Sequence, residues 1–328
     1  LYSPHPKMLY YALCGVGLYF VWRTWRFYID ERDVRSAAQR GGLFVLAMVL
    51  GLGLGAEGTF PLYKYTSSES KRAADVELSG RSESDQLLFA QSWSLLPEEV
   101  VSLIVPEFGG FNRPNEGQSS YWGRNPGKDN SEYFGILVVF FALILVPDVR
   151  RRPFIAFLCG GFLLALAYTL GGHTPVHWLA YHVLPGLNMF RAVGMAAFLF
   201  AFPACVLAAL ALNAVVYGED EDRDRLYKRL TVVGAALVAF ASLIAVSPAG
   251  FTDAWIGGLY SEIAPQKRLV LNASLGWLSK GALYTVITLA GALVVLWLHR
   301  KGHIGVGLLV CLLGLLTVAD TWRIGSEF

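Results

Sequence analysis

Residues 154–216 read FIAFLCGGFLLALAYTL, then GGHTPVHWLAYHVLPGLNMFRA, then VGMAAFLFAFPACVLAALALNAVV. The outer two strings hold no charged residue, and a helix of about 20 such residues crosses a hydrocarbon core. The middle string is too polar to continue either one. Thr174 is placed to cap a helix that begins at Pro175. Pro185 and Gly186 stop that helix. Val176, Leu179, Ala180 and Val183 recur at i, i+3, i+4 and i+7, which is an apolar stripe. His177, Trp178, Tyr181 and His182 fall on the opposite face. The spacing predicts a short amphipathic helix in the membrane interface, its histidine side turned to a water-filled cleft. A polar ligand is expected to meet the membrane there.

The rest of the chain repeats the pattern of apolar run and polar turn. Of 328 residues, 55% are hydrophobic and 16% charged, where a soluble chain carries charge on about a quarter. Mean hydropathy is +0.47. The net charge of +2 gives no basic patch for nucleic acid. Cys14, Cys159, Cys205 and Cys311 sit singly inside apolar runs, with no metal-binding spacing, and are expected to be packing residues.

Eight spans are predicted, over 7–22, 42–56, 133–146, 154–170, 193–216, 230–246, 278–298 and 304–318. The longest, from Val193, should kink at Pro203. Alternate loops carry Arg23, Arg26, Arg32, Arg35 and Arg40, then Arg150–Arg152, then Arg223 to Arg229, then Arg300 and Lys301. These hold about half of the 27 lysines and arginines, so they are predicted to be cytoplasmic. The loops 60–132, 171–192 and 247–276 then face outward. The expected fold class is an all-α, polytopic transmembrane helical bundle of about eight spans. It would form a single domain over 1–328, with interfacial amphipathic helices on the extracytoplasmic side.

The first outer loop has three parts. Residues 70–86 are polar and read as mobile. Residues 95–110, LLPEEVVSLIVPEFGG, frame one short helix between Pro97 and Pro106. Its Glu98 and Glu99 read as charges favoured at a helix N-terminus, and its apolar residues as interfacial. The remainder is loop around Tyr121-Trp122-Gly123-Arg124, two aromatic rings beside a cation. That composition suits a carbohydrate or phosphate contact and equally an interfacial anchor.

Four segments stand in a recognisable order: SWSLLPEEVVSLIVPEFGG (92–110), YWGRNP followed by EYFGILVVFFALIL (132–145), LGGHTPVHWLAYHVLPGLNMFRAVGM (170–195) and LLTVADTW (315–322). With the opening SPHPKMLYYAL, this order resembles the YfhO-like family of bacterial membrane proteins. That family is similar to the GT-C glycosyltransferases, which use polyprenyl-phosphate sugars at the outer membrane face. The resemblance implies a bacterial cytoplasmic-membrane location and a lipid-linked sugar as ligand. GT-C enzymes carry their principal acidic residue in an outer loop after a first span, and this chain begins beyond that point. It is therefore expected to be a fragment lacking both ends, and no catalytic base is assigned.

Within that resemblance, Arg191 at the mouth of a span is the candidate clamp for the carrier phosphate. The alternatives are a snorkelling anchor, or a partner for Glu57 or Glu107. His173, His177, Arg124, Tyr121 and Trp122 are further candidate ligand contacts. Glu57 and Glu107 qualify as carboxylates near membrane depth. Asp320 is expected to pair with Arg323. No cofactor is expected, and the spacing H-x3-H-x4-H from His173 to His182 is no zinc pattern. A divalent metal there stays an open alternative. Membrane lipids are the other expected contact. A non-catalytic subunit binding a protein partner through its outer loops, and a transporter, are the competing readings.

Overall fold

In the computed structural model, residues 6–65, 82–113, 118–126, 128–260 and 263–328 are described. Among the described residues the regular structure is all-helical apart from a two-residue antiparallel ladder pairing Asn112–Arg113 with Gln118–Ser119. It divides into two compact units. The first holds residues 1–94 and 164–199, the second 95–163 and 200–328.

In the first unit, α1 (Pro6–Glu31) and α2 (Val34–Leu54) are long helices, followed by α3 (Ala56–Lys64) and α4 (Glu83–Ala90). α2 buries none of its 21 residues within the protein, as expected of a helix surrounded by lipid. α4 occupies part of the stretch read as mobile, and residues 70–81 lie outside the described residues. Ser82 caps it by accepting from the Asp85 amide at 3.3 Å, a Ser-x-x-Asp signature legible in the sequence.

The second unit holds α5 (Pro97–Val101), α6 (Ile136–Leu145), most of α7 (Pro153–Thr169), and the long helices α9 (Phe198–Tyr217), α10 (Asp220–Val246), α12 (Pro265–Arg300) and α13 (Val306–Gly325). Between α7 and α9 lies α8 (Pro175–Val183), in the first unit, and α11 (Pro248–Leu259) precedes α12. The core is one cluster around Ile136, Phe140, Ile144, Ala211, Val215 and Leu289. A second cluster, around Val105, Phe108 and Trp122, sits against α11 and α12. α12 has 36 residues, about 54 Å at 1.5 Å per residue, which exceeds a hydrocarbon core of about 30 Å.

All eight predicted runs are helical. Among the described residues, five helices are long and apolar enough to cross a bilayer: Val34–Leu54, Val193–Tyr217, Arg223–Val246, Pro265–Arg300 and Val306–Gly325. They mark a multi-pass membrane protein. The apolar helices Ile136–Asp148 and Pro153–Thr169 are shorter than that length. At ten residues α6 reaches about 15 Å, and Ile136, Phe140 and Ile144 are fully enclosed by protein. Its apolar side chains pack into the core of the second unit. α9 runs through Pro203 as one helix. Cys205 and Cys311 lie on exposed helix faces rather than inside the bundle.

Candidate functional site

The stretch 171–191 lies wholly in the first unit. Thr174 is the N-cap of α8 and Pro175 its first residue. The Thr174 hydroxyl does not cap; it donates to the Ala167 carbonyl at 2.5 Å, fastening the turn to the end of α7. Gly171 makes the turn possible. It is left-handed, at φ 54°, and a Cβ there would collide with the Ser94 hydroxyl. That hydroxyl donates to the Gln91 carbonyl at 2.5 Å. Gly186, at φ 79°, turns the chain out of α8.

An open cleft of about 390 Å³ is lined by Gln91, Gly172, His173, Thr174, Pro175 and Trp178. It offers an amide, an imidazole and one large aromatic face, with His173 and Trp178 exposed. Arg191 enters beside it. The Ala192 amide donates to the Ser92 carbonyl at 3.1 Å, and the Gly194 amide to Trp93 at 3.1 Å, one and two residues from cleft-lining Gln91. Ala192 (φ 60°) and Trp93 (φ 59°) are both left-handed without being glycine, a conformation that costs about 1–3 kcal/mol each. The Arg191 guanidinium is exposed, 5.6 Å from the Phe89 ring centroid. Among the described residues no carboxylate pairs with it. The Lys7 ammonium donates to the Arg191 carbonyl at 3.4 Å, against the backbone of that residue. Glu57 is exposed in the first turn of α3.

His177 does not face the cleft. It is buried, 2% exposed, with its ring against Tyr168 at 5.3 Å and Tyr181 at 6.2 Å. Leu179 and Val183 are instead exposed, so α8 turns its histidine inward and much of its apolar stripe outward. Nδ1 of His177 has no partner among the described residues. His182 turns Nδ1 to the Trp178 carbonyl at 2.8 Å. The three histidines therefore do not gather into one group, and none of three or more metal-ligating side chains exists among the described residues.

Burial without an acceptor holds the His177 imidazole down to about 4. Its unfolded value is near 6.5, so the unfolded chain binds more protons between these limits. The neutral ring's contribution is complete above pH 6.5 and is lost as the pH falls toward 4. The stability advantage of wild type over His177→Phe should shrink across that window by at most about 3 kcal/mol. Thermal unfolding in detergent at stepped pH measures it, and a difference flat in pH would place His177 in contact with water.

In the second unit, residues 121–125 form a structural wedge. Tyr121 and Trp122 are 1% and 2% exposed. The Tyr121 hydroxyl donates to Glu99 Oε1 at 2.9 Å, and Trp122 Nε1 donates to the Phe108 carbonyl at 2.5 Å. Arg124 alone of the four-residue segment is exposed; its guanidinium lies 3.9 Å from the Tyr260 ring centroid. Glu99 also accepts from the Leu96 amide at 2.9 Å and pairs with Lys128 at 3.2 Å. Burial pushes the Glu99 carboxyl up, with Lys128 opposing it. Burial works against the Lys128 ammonium, but Glu132 and Glu99 outweigh it and hold its pKa above the usual lysine range.

Glu107 has a definite partner. Its carboxylate meets Arg323 of α13, which also lies 3.8 Å from Asp320, so the expected Asp320–Arg323 pair is present. Asp320 accepts from the Tyr133 hydroxyl at 2.5 Å and from the Ile136 amide at 3.1 Å, capping α6 from another helix. Gly281 of α12 leaves room for the Glu107 carboxyl, since a Cβ there would overlap it. Burial raises Glu107, and Arg323 opposes the rise.

Sequence reasoning missed Gln91 as a cleft wall and Lys7 as a neighbour of Arg191, because only the fold brings them there. It also treated Glu98 like Glu99, although only Glu99 is bonded. No protein-family model matches the chain, and no curated protein or solved structure is detectably similar to it.

Proposed function

We propose that the chain is a GT-C-like membrane protein, of the YfhO-like kind, that handles a polyprenyl-phosphate-linked sugar at the outer face of a bacterial cytoplasmic membrane. The observation that carries this reading is the cleft lined by Gln91, His173 and Trp178, with the Arg191 guanidinium exposed in the same unit. An aromatic face takes a sugar ring, an amide and an imidazole hydrogen-bond its hydroxyls, and a guanidinium matches a phosphate bidentately. In sugar transfer such a cation stabilises the departing phosphate. Arg191 fills that role, and His173 and Trp178 hold the sugar; Arg124, in the second unit, is a further outer cation by the loop assignment. On this reading all eight apolar helices count as crossings, α8 lies in the interface, and the basic loops are cytoplasmic. No residue is assigned as the base.

Arg191→Ala in the intact protein is expected to abolish transfer from a polyprenyl-phosphate sugar while leaving the unfolding temperature unchanged. Arg191→Lys should restore part of it, since charge returns without the fork. Wild-type transfer by a well-folded Arg191→Ala variant would remove the assignment.

A further inference from the structure

Ion pairs gather three segments at one end of the second unit. The Arg229 guanidinium of α10 holds the Asp148 carboxylate through two bonds, at 2.8 and 3.0 Å, and donates to the Ile144 carbonyl at 3.3 Å. Arg300, at the end of α12, pairs with Asp224 at 3.0 Å. The α6–α7 turn, the start of α10 and the end of α12 therefore lie together. The other end of α12 is marked by Lys267, whose ammonium reaches the Asn125 carbonyl at 3.2 Å. At 36 residues α12 is longer than a hydrocarbon core is thick, which suits its two ends to the two membrane surfaces.

Charge is nearly balanced at the start of α10, where residues 219–229 carry five carboxylates and four cations. The α6–α7 turn is different. Arg150, Arg151 and Arg152 stand in succession and all three are exposed. Among the described residues no carboxylate pairs with any of them, and the turn's own Asp148 is already spent on Arg229. The backbone holds this turn in shape. The Val149 amide donates to the Val146 carbonyl at 3.2 Å, and the Arg151 and Arg152 amides both donate to the Asp148 carbonyl at 3.0 Å. Three like charges on a fixed turn favour an anion.

The surroundings select which anion. Leu143 and Val146, just before the arginines, are 40% and 46% exposed, and Leu163 of α7 is 63% exposed. In a multi-pass membrane protein such aliphatic side chains meet acyl chains. A phospholipid supplies the acyl chain and, at its end, a phosphate that a guanidinium can take bidentately. Arginines that follow directly on an apolar helix reach the headgroup layer. A nucleic acid or an acidic protein would satisfy the charges and leave the aliphatic flank uncovered.

We propose that Arg150, Arg151 and Arg152 form a binding site for the headgroup of an anionic phospholipid, its acyl chains running along Leu143 and Val146. The site rests on the membrane habit of the chain and not on sugar transfer. It belongs to the second unit and is independent of the cleft lined by His173 and Trp178.

The full chain, delipidated in detergent, tests this by native mass spectrometry during titration with phosphatidylglycerol and with phosphatidylcholine. Phosphatidylglycerol should bind preferentially. Substituting Arg150→Gln, Arg151→Gln and Arg152→Gln together should weaken its binding roughly a hundredfold, at about fivefold per cation. Phosphatidylcholine binding and the unfolding temperature without lipid should stay as in wild type. Should the triple variant misfold, the three single variants, each expected to lose about fivefold, carry the test. Arg300→Gln with Lys301→Gln removes charge from the same end without touching the turn, and should leave the selectivity nearly unchanged. An equal loss per charge in that control would mean a diffuse field rather than a site, and overturns the proposal. So does the absence of any preference for phosphatidylglycerol, or a preference that survives the triple variant. Binding of inorganic phosphate or heparin at the turn with no selection among lipids overturns it as well.

Discussion

Arg323→Ala is expected to destabilise the second unit by about 3–5 kcal/mol, the cost of stranding a buried carboxylate. Glu107 is 3% exposed and lies against the backbone at Gly281. Without the guanidinium it keeps its burial and loses its only ion-pair partner among the described residues. The second carboxylate, Asp320, is less affected, because Tyr133 and the Ile136 amide still bond it. Glu107→Gln should therefore recover much of the loss in the Arg323→Ala background. Alone it should cost less than Arg323→Ala. Thermal unfolding of the four proteins forms a double-mutant cycle. Strictly additive losses would mean that the two side chains do not depend on each other.

Gly171→Ala is expected to cost the first unit about 2–3 kcal/mol and to close the cleft. Two independent terms add. The left-handed backbone at φ 54° penalises any Cβ. The Cβ also displaces Ser94, whose hydroxyl holds the Gln91 carbonyl. Ser94→Gly removes the second term and leaves the first, so the double variant should regain roughly half of the lost stability. Ligand binding in the cleft should follow Gln91 and fall in the single variant. Unchanged unfolding in Gly171→Ala would show that the turn relaxes freely and that its glycine is incidental.

Much of the helical framework is written in local pattern. Apolar runs of 14–24 residues favour helices once water is excluded, since a helix satisfies its own backbone groups within one segment. Caps and stops were equally local: Pro175 starts α8 and Gly186 ends the turn after it. Local pattern misled where one residue type serves two ends. The ring of His177 reads as a ligand contact and is enclosed by Tyr168 and Tyr181. Tyr121 and Trp122 read as a possible contact surface, and the fold spends them on Glu99 and Phe108.

The amino-acid order by itself determined the helical class, the membrane habit and the polar turn at 171–191, because hydrophobicity and helix punctuation act within a few residues. Only the tertiary structure decided which charges are satisfied. Arg323 reaches Glu107 across 216 positions, and Glu98 lacks the bonds that the adjacent Glu99 makes. Spacing along a chain cannot tell those two glutamates apart. The difference arises where each carboxylate points once neighbouring helices have closed around it.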